Sequence, residues 1–356
     1  MKIKTEQLKE LMAKAIKGAS NHKLLPITGF VMIKNEKKKF TLTTTDGVNI
    51  LEVSTDKAEG EDLYAVVMAE LFNKLIARTS TEYVNLEVTE KGLEVKGNGV
   101  YTFDMPLDEE GKVVTINIPE VLSKESKQVD LEDIKGVLYS NKSAIAETFE
   151  VPCLTGYYSD STGVITSDGL KICNTNNKIF NESALISTEL MNLLSVFDTD
   201  DILLSVQDNS VLFSSKGINV YGKLMSEVED YPVKDIKEYF TIKFENEVKL
   251  NKNKVLEVLD RLSIFTEGYD KSVLQFNFED SELVIADKDN TICEKIRYES
   301  LEGKAGNFAC SVDITLLTPQ IKALDSEVFT IHYGLENAIM MTTPNIKQII
   351  SLAGEE

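Results

Sequence analysis

The residues that could do chemistry are acidic turns, four thiols and two imidazoles. Thr45-Asp46-Gly47, Ser167-Asp168-Gly169 and Lys288-Asp289-Asn290 each place a carboxylate in a short polar break between apolar runs. Brought together, three carboxylates could hold a cation. They recur instead once in each third of the chain, where Asp-Gly and Asp-Asn supply the positive φ of a tight hairpin, so they read as turn residues. Cys153, Cys173, Cys293 and Cys310 form no CxxC pair, and His22 and His332 lie far apart. That pattern builds no zinc site and reads as reduced thiols in or near cores. There is no P-loop, GxGxxG, GxSxG or HExxH. The expectation is a protein without catalysis, metal or cofactor.

The elements that carry these turns repeat. Each third opens with an amphipathic helix. The first spans about Thr5–Ala19, with Leu8, Leu11, Met12, Ala15 and Ile16 as its stripe and Thr5 as cap. The second lies near Leu131–Ser140, with Asp130 as cap; the third lies near Lys252–Phe265, with Asn251 as cap. A strand pair around the acidic turn follows, then a second helix: Ala69–Arg78, Thr188–Phe197, and a third with Ile314, Leu317, Ile321 and Leu324. Pro319 falls inside that last helix, removes one hydrogen bond and is expected to kink it. A polar turn and a strand meander close each copy. The period of about 120 residues predicts an α+β fold of three domains, residues 1–120, 121–240 and 241–356, each a sheet covered by two helices.

Composition bounds the rest. The chain has 356 residues, 42% apolar and 27% charged, enough for real cores. No run approaches the ~20 apolar residues that span a bilayer. The start, MKIKTEQLKEL, lacks an apolar signal core, so the expected place is the cytoplasm, away from membranes. The net charge is −20, but phosphate affinity depends on where positive charge sits. Residues 1–120 carry 16 basic and 19 acidic side chains, residues 121–240 carry 10 and 19, and residues 241–356 carry 12 and 20. Basic charge is concentrated toward the N-terminus.

Several stretches resemble one family. LLPITGFVMI followed by FTLTTTDGVNILEV, and then LFNKLIARTSTEYVNLEVTEKGLEVKG, resemble the first domain of the β sliding clamp, the processivity subunit of bacterial DNA polymerase III. CLTGYYS with VITSDGLKI resembles its second domain, and SEVEDYPVKDI the junction with its third. The tail, IKQIISLAGEE, departs from the family pattern, and the divergence along the chain is of the kind a phage or mobile element carries. The resemblance implies a head-to-tail homodimer: a ring of six domains that encircles duplex DNA, slides on it without reading sequence, and tethers a polymerase in DNA replication. A separate clamp loader is implied as a partner.

It also implies three sets of site residues. Sliding needs weak phosphate contacts, for which helix-face cations are suited: Lys9, Lys14, Lys17, Lys74, Arg78, Lys254 and Arg261, with His22 and Lys23 in a loop where the family carries basic DNA contacts. The middle domain departs here, with Ser187-Thr188-Glu189 where relatives are basic, so DNA contact is expected to be uneven. The ring interface matches Tyr101 and Phe103 on one side and Ile264 and Phe265 on the other. Independently, Ile264 falls about 180° from Val255 on a helical wheel, an apolar residue facing away from the core. A partner-peptide pocket matches Leu154, Ser167, Gly169 and Ile172, with Ile350 and Leu352 from the C-terminal strand. The competing reading is a repeat-built interaction scaffold that never encircles DNA, argued from the net charge and the acidic middle domain.

Overall fold

The computed structural model describes residues 1–119, 125–266, 272–299 and 307–353. The first copy runs β1 (Lys2–Lys4), α1 (Thr5–Ala15), β2 (Phe30–Glu36), β3 (Lys39–Thr45), β4 (Ile50–Thr55), β5 (Leu63–Met68), α2 (Ala69–Arg78), β6 (Tyr83–Thr89), β7 (Gly92–Lys96), β8 (Val100–Phe103). The second runs β9 (Ser126–Val129), α3 (Leu131–Ser140), β10 (Gly156–Asp160), β11 (Gly163–Ser167), β12 (Lys171–Thr175), β13 (Ala184–Ser187), α4 (Thr188–Leu194), β14 (Ile202–Gln207), β15 (Ser210–Ser215), β16 (Ile218–Lys223). A connecting helix, α5 (Val233–Tyr239), follows. The third runs β17 (Asn246–Asn251), α6 (Lys252–Ser263), β18 (Val273–Phe278), β19 (Glu282–Ala286), β20 (Cys293–Arg297), β21 (Phe308–Asp313), α7 (Ile314–Lys322), β22 (Val328–Tyr333), β23 (Ala338–Thr342), β24 (Ile346–Ser351).

The four sheets obey one rule. Their strand orders are β1-β6-β7-β8, β5-β2-β3-β4-β16-β15-β14-β9, β13-β10-β11-β12-β24-β23-β22-β17 and β20-β19-β18-β21. Each copy therefore makes two four-stranded half-sheets, and adding eight to every strand number turns one copy into the next. The fourth strand of one copy pairs with the last strand of the following copy: β4 with β16, and β12 with β24, both antiparallel. These two pairings are the seams of the molecule.

By contacts the chain forms two compact units, residues 1–131 with 189–224 and residues 132–188 with 225–356. The second copy is thus divided, giving β9 and β14–β16 to the first unit and β10–β13 to the second. In the first unit α1 and α2 pack together over buried Leu8, Met12, Phe72 and Ile76. In the second, α6 and α7 pack together over Val255, Leu259, Leu262, Leu317 and Ile321. Strand alternation feeds the same cores: Phe329, Ile331 and Tyr333 of β22 point inward, and Tyr333 stacks on Phe278 with ring centroids 4.0 Å apart.

Local chemistry explains the element ends. The Asn251 side chain accepts from the Lys254 amide (3.1 Å) at the start of α6, as its cap position predicts, and Asp313 does the same for Thr315 (2.8 Å) in α7. Thr5 is not a cap. It is the first helical residue of α1, and its buried hydroxyl has no hydrogen-bond partner among the described residues. α4 stops at Leu194, and α7 continues through Pro319 to Lys322.

The acidic turns are hairpin turns. The Asp46 carboxylate accepts from the amides of Val48 and Asn49, and Asp168 accepts from Leu170 and Lys171. Gly47, Gly169 and Asn290 have positive φ. In the third copy the equivalent carboxylate is Asp287, not Asp289. The Asp287 amide donates to the Ile292 carbonyl at 3.2 Å, as Asp46 does to Asn49 and Asp168 to Lys171 at the same distance. That turn is two residues longer, which displaces the sequence match.

Candidate functional site

The seams fix equivalent positions. Counting from the three aspartates, Leu51, Cys173 and Glu294 occupy one place. On the last strands of the three copies, Val220, Gln348 and Tyr101 occupy one place, each opposite a buried residue of the preceding strand: Phe213, Met341 and Val95. In the first seam Leu51 pairs with Val220; in the second Cys173 pairs with Gln348. The register is the same in both.

The turn that ends each opening helix also has a fixed task. Thr44 Oγ1 donates to the Ala15 carbonyl (2.7 Å) and Thr166 Oγ1 to the Asn141 carbonyl (2.8 Å), which makes Lys17 equivalent to Ser143. Lys17 Nζ donates to the carbonyl of Ser195 (3.3 Å), just past α4. Ser143 Oγ accepts from Gln320 of α7 (3.0 Å). At each seam this position therefore touches the second helix of the next copy or the residue just past its end. Counting from the helix starts, the third occupant is Ile264.

The predicted phosphate contacts are mostly already paired. Lys14 makes an ion pair with Asp198 (2.7 Å), so both it and Lys17 hold the first seam together. Lys9 pairs with Glu6 (3.0 Å), Lys74 with Glu70, and Lys254 with Glu299 (2.7 Å). Arg261 grips Glu294 with two hydrogen bonds, 2.8 and 2.6 Å, and those bonds hold the Glu294 carboxyl below its usual range. Arg78 donates to the Lys74 carbonyl (3.0 Å), on the shared face the spacing predicts. His22 and Lys23 are exposed in their loop and have no ion pair among the described residues. Spacing in sequence located the cations; it could not show their partners, which come from distant segments.

Of the ring-interface residues, Ile264 and Phe265 are 70% and 61% exposed at the end of α6, and Tyr101 is 41% exposed on β8. Phe103 differs. It is buried, and its ring meets Phe72 edge-on at 5.7 Å, because it lies on the core-facing side of β8 opposite Leu93. It is a core residue of the first unit.

The pocket residues divide in the same way. Leu154 and Ile172 join one apolar cluster with Cys153, Tyr158, Ile165, Leu185, Tyr231, Ile236, Met340 and Ile349. Ser167 and Gly169 form the turn beside it. Ile350 and Leu352 belong to a different core, that of α6 and α7. The residue of β24 that faces Leu154 and Ile172 is Ile349. A one-residue shift along a strand turns the side chain to the opposite face, and an isoleucine pair hides that shift in the sequence. Tyr231 and Ile236 also went unforeseen, though their position in the SEVEDYPVKDI junction was a usable signal. Burial raises the thiol of Cys153 and the phenol of Tyr231, which suits core members rather than nucleophiles. Among the described residues no group of His, Cys, Asp and Glu could hold a metal ion. No helix among them is long and apolar enough to cross a membrane.

This arrangement is the fold of the bacterial sliding clamps. The chain superimposes along its whole length on the DNA polymerase sliding clamp of Bacillus subtilis, with a TM-score of 0.83 and 17% identity over 100% of this chain and 99% of that one. The DNA polymerase III beta chain of Streptococcus pneumoniae gives 0.85 and 15% over 99% of each chain. The DNA polymerase III subunit beta of Pseudomonas aeruginosa gives 0.85 and 13% over 100% of each. No protein-family model matches the sequence, and no curated protein does.

Proposed function

We propose that this chain is a DNA sliding clamp and replication processivity factor, acting without catalysis. Residues 1–120, 121–240 and 241–356 serve as its three domains. The observation that carries this reading is the pair of strands the seam rule leaves over. The fourth strand of the third copy, β20, and the last strand of the first copy, β8, are both edge strands. A second copy supplies the missing partner for each, head to tail, and two such seams close a ring. Ile264 is left over by the same rule, since its equivalents Lys17 and Ser143 touch the next copy's second helix or the residue just past its end. Here that helix is α2 of a second copy, where Leu71 is exposed. The register of the inner seams sets Glu294 opposite Tyr101, and Cys293 opposite Thr102, across the dimer. Lys9, Lys74, Arg78, Lys254, Arg261, His22 and Lys23 are the candidate phosphate contacts; polymerase and clamp loader are the expected partners, docking at the Leu154 and Ile172 cluster.

Thr102→Cys tests the register. Under mild oxidation it should crosslink to the native Cys293 of a second copy and give a covalent dimer, lost when Cys293→Ser is added. The paired change Ile264→Asp and Phe265→Asp should give monomers by native mass. Function is tested on nicked circular DNA with a loader. The protein should stay bound in high salt and leave once the circle is linearised. Release by salt alone would instead support a scaffold that does not encircle DNA.

A further inference from the structure

The register of the seams fixes the burial of side chains as well as the pairing of strands. Leu51 with Val220, and Cys173 with Gln348, are completely buried where the two inner seams close. Their equivalents on the open edges are Glu294 and Tyr101. Both lie on the core-facing side of their strands: Glu294 is opposite Ile285 and Tyr101 is opposite Val95, each buried. Ile296 and Phe103, two residues further along, are buried on the same side. Residues directly opposite in an antiparallel pair project from one face, with Cβ atoms about 4.5–5.5 Å apart. A second copy that closes the outer seam in this register therefore buries the Glu294 carboxylate against the Tyr101 ring.

A carboxylate taken out of water alone is strongly unfavourable unless a cation and hydrogen bonds go with it. Glu294 has both. Arg261 donates from Nε to one oxygen (2.8 Å) and from Nη2 to the other (2.6 Å). Arg261 is the tenth residue of α6, as Lys14 is of α1, and Lys14 pins the first seam through Asp198. The outer seam offers no such acid at that place. Counting back four residues from the equivalent Ile202 and Val84, Ser80 stands where the second copy has Asp198. The cation of the third copy turns to its own edge strand instead, and the exposed Ile264 and Phe265 lie just beyond it at the end of α6.

We propose that Arg261 is a ring-closing residue, which neutralises Glu294 so that the pair can be buried against Tyr101 of a second copy. This rests on the clamp reading and adds to it a task for Arg261 that is separate from any phosphate contact. In the free chain Arg261 is exposed and Glu294 partly so, and the pair keeps the open edge hydrated. In the closed ring the pair forms a charged centre, where the first seam has an apolar centre and the second a polar one. A buried ion pair adds little net stability, but removing one partner leaves the other charge uncompensated.

The experiment measures dimer dissociation of the full-length protein by sedimentation over a dilution series. Arg261→Leu strands the carboxylate and should weaken the dimer by about a hundredfold or more. Glu294→Leu frees an arginine long enough to turn to water and should weaken it by about tenfold. The double variant recreates the apolar centre of the first seam and should dimerise at least as tightly as the wild type. Arg261→Leu with Tyr101→Arg, which returns a cation from the opposite copy, should recover about tenfold of the loss. Both positions are open to solvent in the free chain, so far-ultraviolet circular dichroism should be the same for every variant. Single variants within about fivefold of wild type, the range of exposed ion pairs, overturn the proposal. So does a double variant as weak as Arg261→Leu, or no recovery with Tyr101→Arg. A wild type that is monomeric overturns the clamp reading and this assignment with it, whereas a dimer indifferent to Arg261 overturns this assignment alone.

Discussion

The first and second seams share strand order and register but not chemistry. At the first, Leu51 faces Val220, and Lys14 and Lys17 reach across to Asp198 and Ser195. At the second, Cys173 faces Gln348. There Asn141 is wholly buried and donates to the carbonyls of Val164 (3.0 Å) and Cys173 (3.2 Å), while accepting from Thr175 (2.8 Å). Lys252 and Tyr139 both donate to the carbonyl of Lys322, the last residue of α7, and Lys252 also to that of Leu324 just beyond it, so that a cation and a hydroxyl satisfy the helix end. One seam has an apolar centre with ionic pins outside. The other has a polar centre with a capped helix outside. A strand ladder is indifferent to side chains, so repetition preserves the backbone pairing while each seam finds its own contacts.

Exchanging the two centres is the strongest way to break that contrast. Val220→Gln buries an amide among Leu51 and Phe213 with nothing to bond, and should destabilise by about 2–3 kcal/mol. The reverse change, Gln348→Leu, should fall within about 1 kcal/mol of neutral, because the Gln348 carbonyl oxygen already lacks a partner among the described residues and its amide makes only a 3.8 Å contact to Cys173 Sγ. Urea midpoints at unchanged m measure both. A loss in Gln348→Leu as large as that in Val220→Gln would mean that the polar centre stabilises the second seam.

This contrast also shows what the sequence could and could not reveal. The threefold pattern was legible because α1, α3 and α6 keep apolar stripes at helical spacing and because Asp46 and Asp168 hold hairpins with the same residues around them. The third turn was misplaced because its extra two residues leave Asp287 doing the work of Asp46. Strand faces were less legible than strand positions. Phe103 looks like an interface aromatic until its ladder partner, Leu93, shows that it points inward. Ile349 and Ile350 are the same residue type on opposite faces of β24. Cation positions were legible but not their neutralisation, since Asp198 lies far from Lys14 in sequence and Glu294 far from Arg261. The seam rule depends on pairings between copies and is invisible to any local pattern.

A smaller effect should distinguish the units by pH. His332 in the second unit is mostly buried, with Nε2 2.9 Å from Thr342 Oγ1 and Nδ1 3.2 Å from Glu247. Burial lowers its pKa more than the Glu247 charge raises it. Above the unfolded value of about 6.5 the imidazole is neutral in both states and costs nothing. As pH falls below that value the unfolded chain takes up a proton that the folded chain resists, so stability drops until the folded pKa is passed. Unfolding midpoints of wild type and His332→Gln, measured from pH 7.5 to pH 5 (about the His titration range), should converge at the acidic end. Parallel curves would remove His332 as the cause.

The smallest effects concern the cations of the first seam. Lys14 in α1 and Lys17 just past its end are among the predicted phosphate contacts, yet they are committed to Asp198 and Ser195 within the first unit. A surface ion pair contributes only ~0.2–1 kcal/mol, so Lys14→Ala or Asp198→Ala should lower stability by no more than that, and the double variant should lose less than the sum of the two. Lys23 has no such commitment. If phosphate contact is made by cations that are free to make it, Lys23→Ala should shorten retention on circular DNA at low salt and flatten its salt dependence, whereas Lys14→Ala should change neither. Each phosphate contact contributes close to one unit of slope in log affinity against log salt (about 0.9 for duplex DNA), large enough to resolve for a single side chain. Equal slopes for the two variants would show that the Asp198 pair opens to let Lys14 reach DNA, and that the first seam and the DNA compete for one cation.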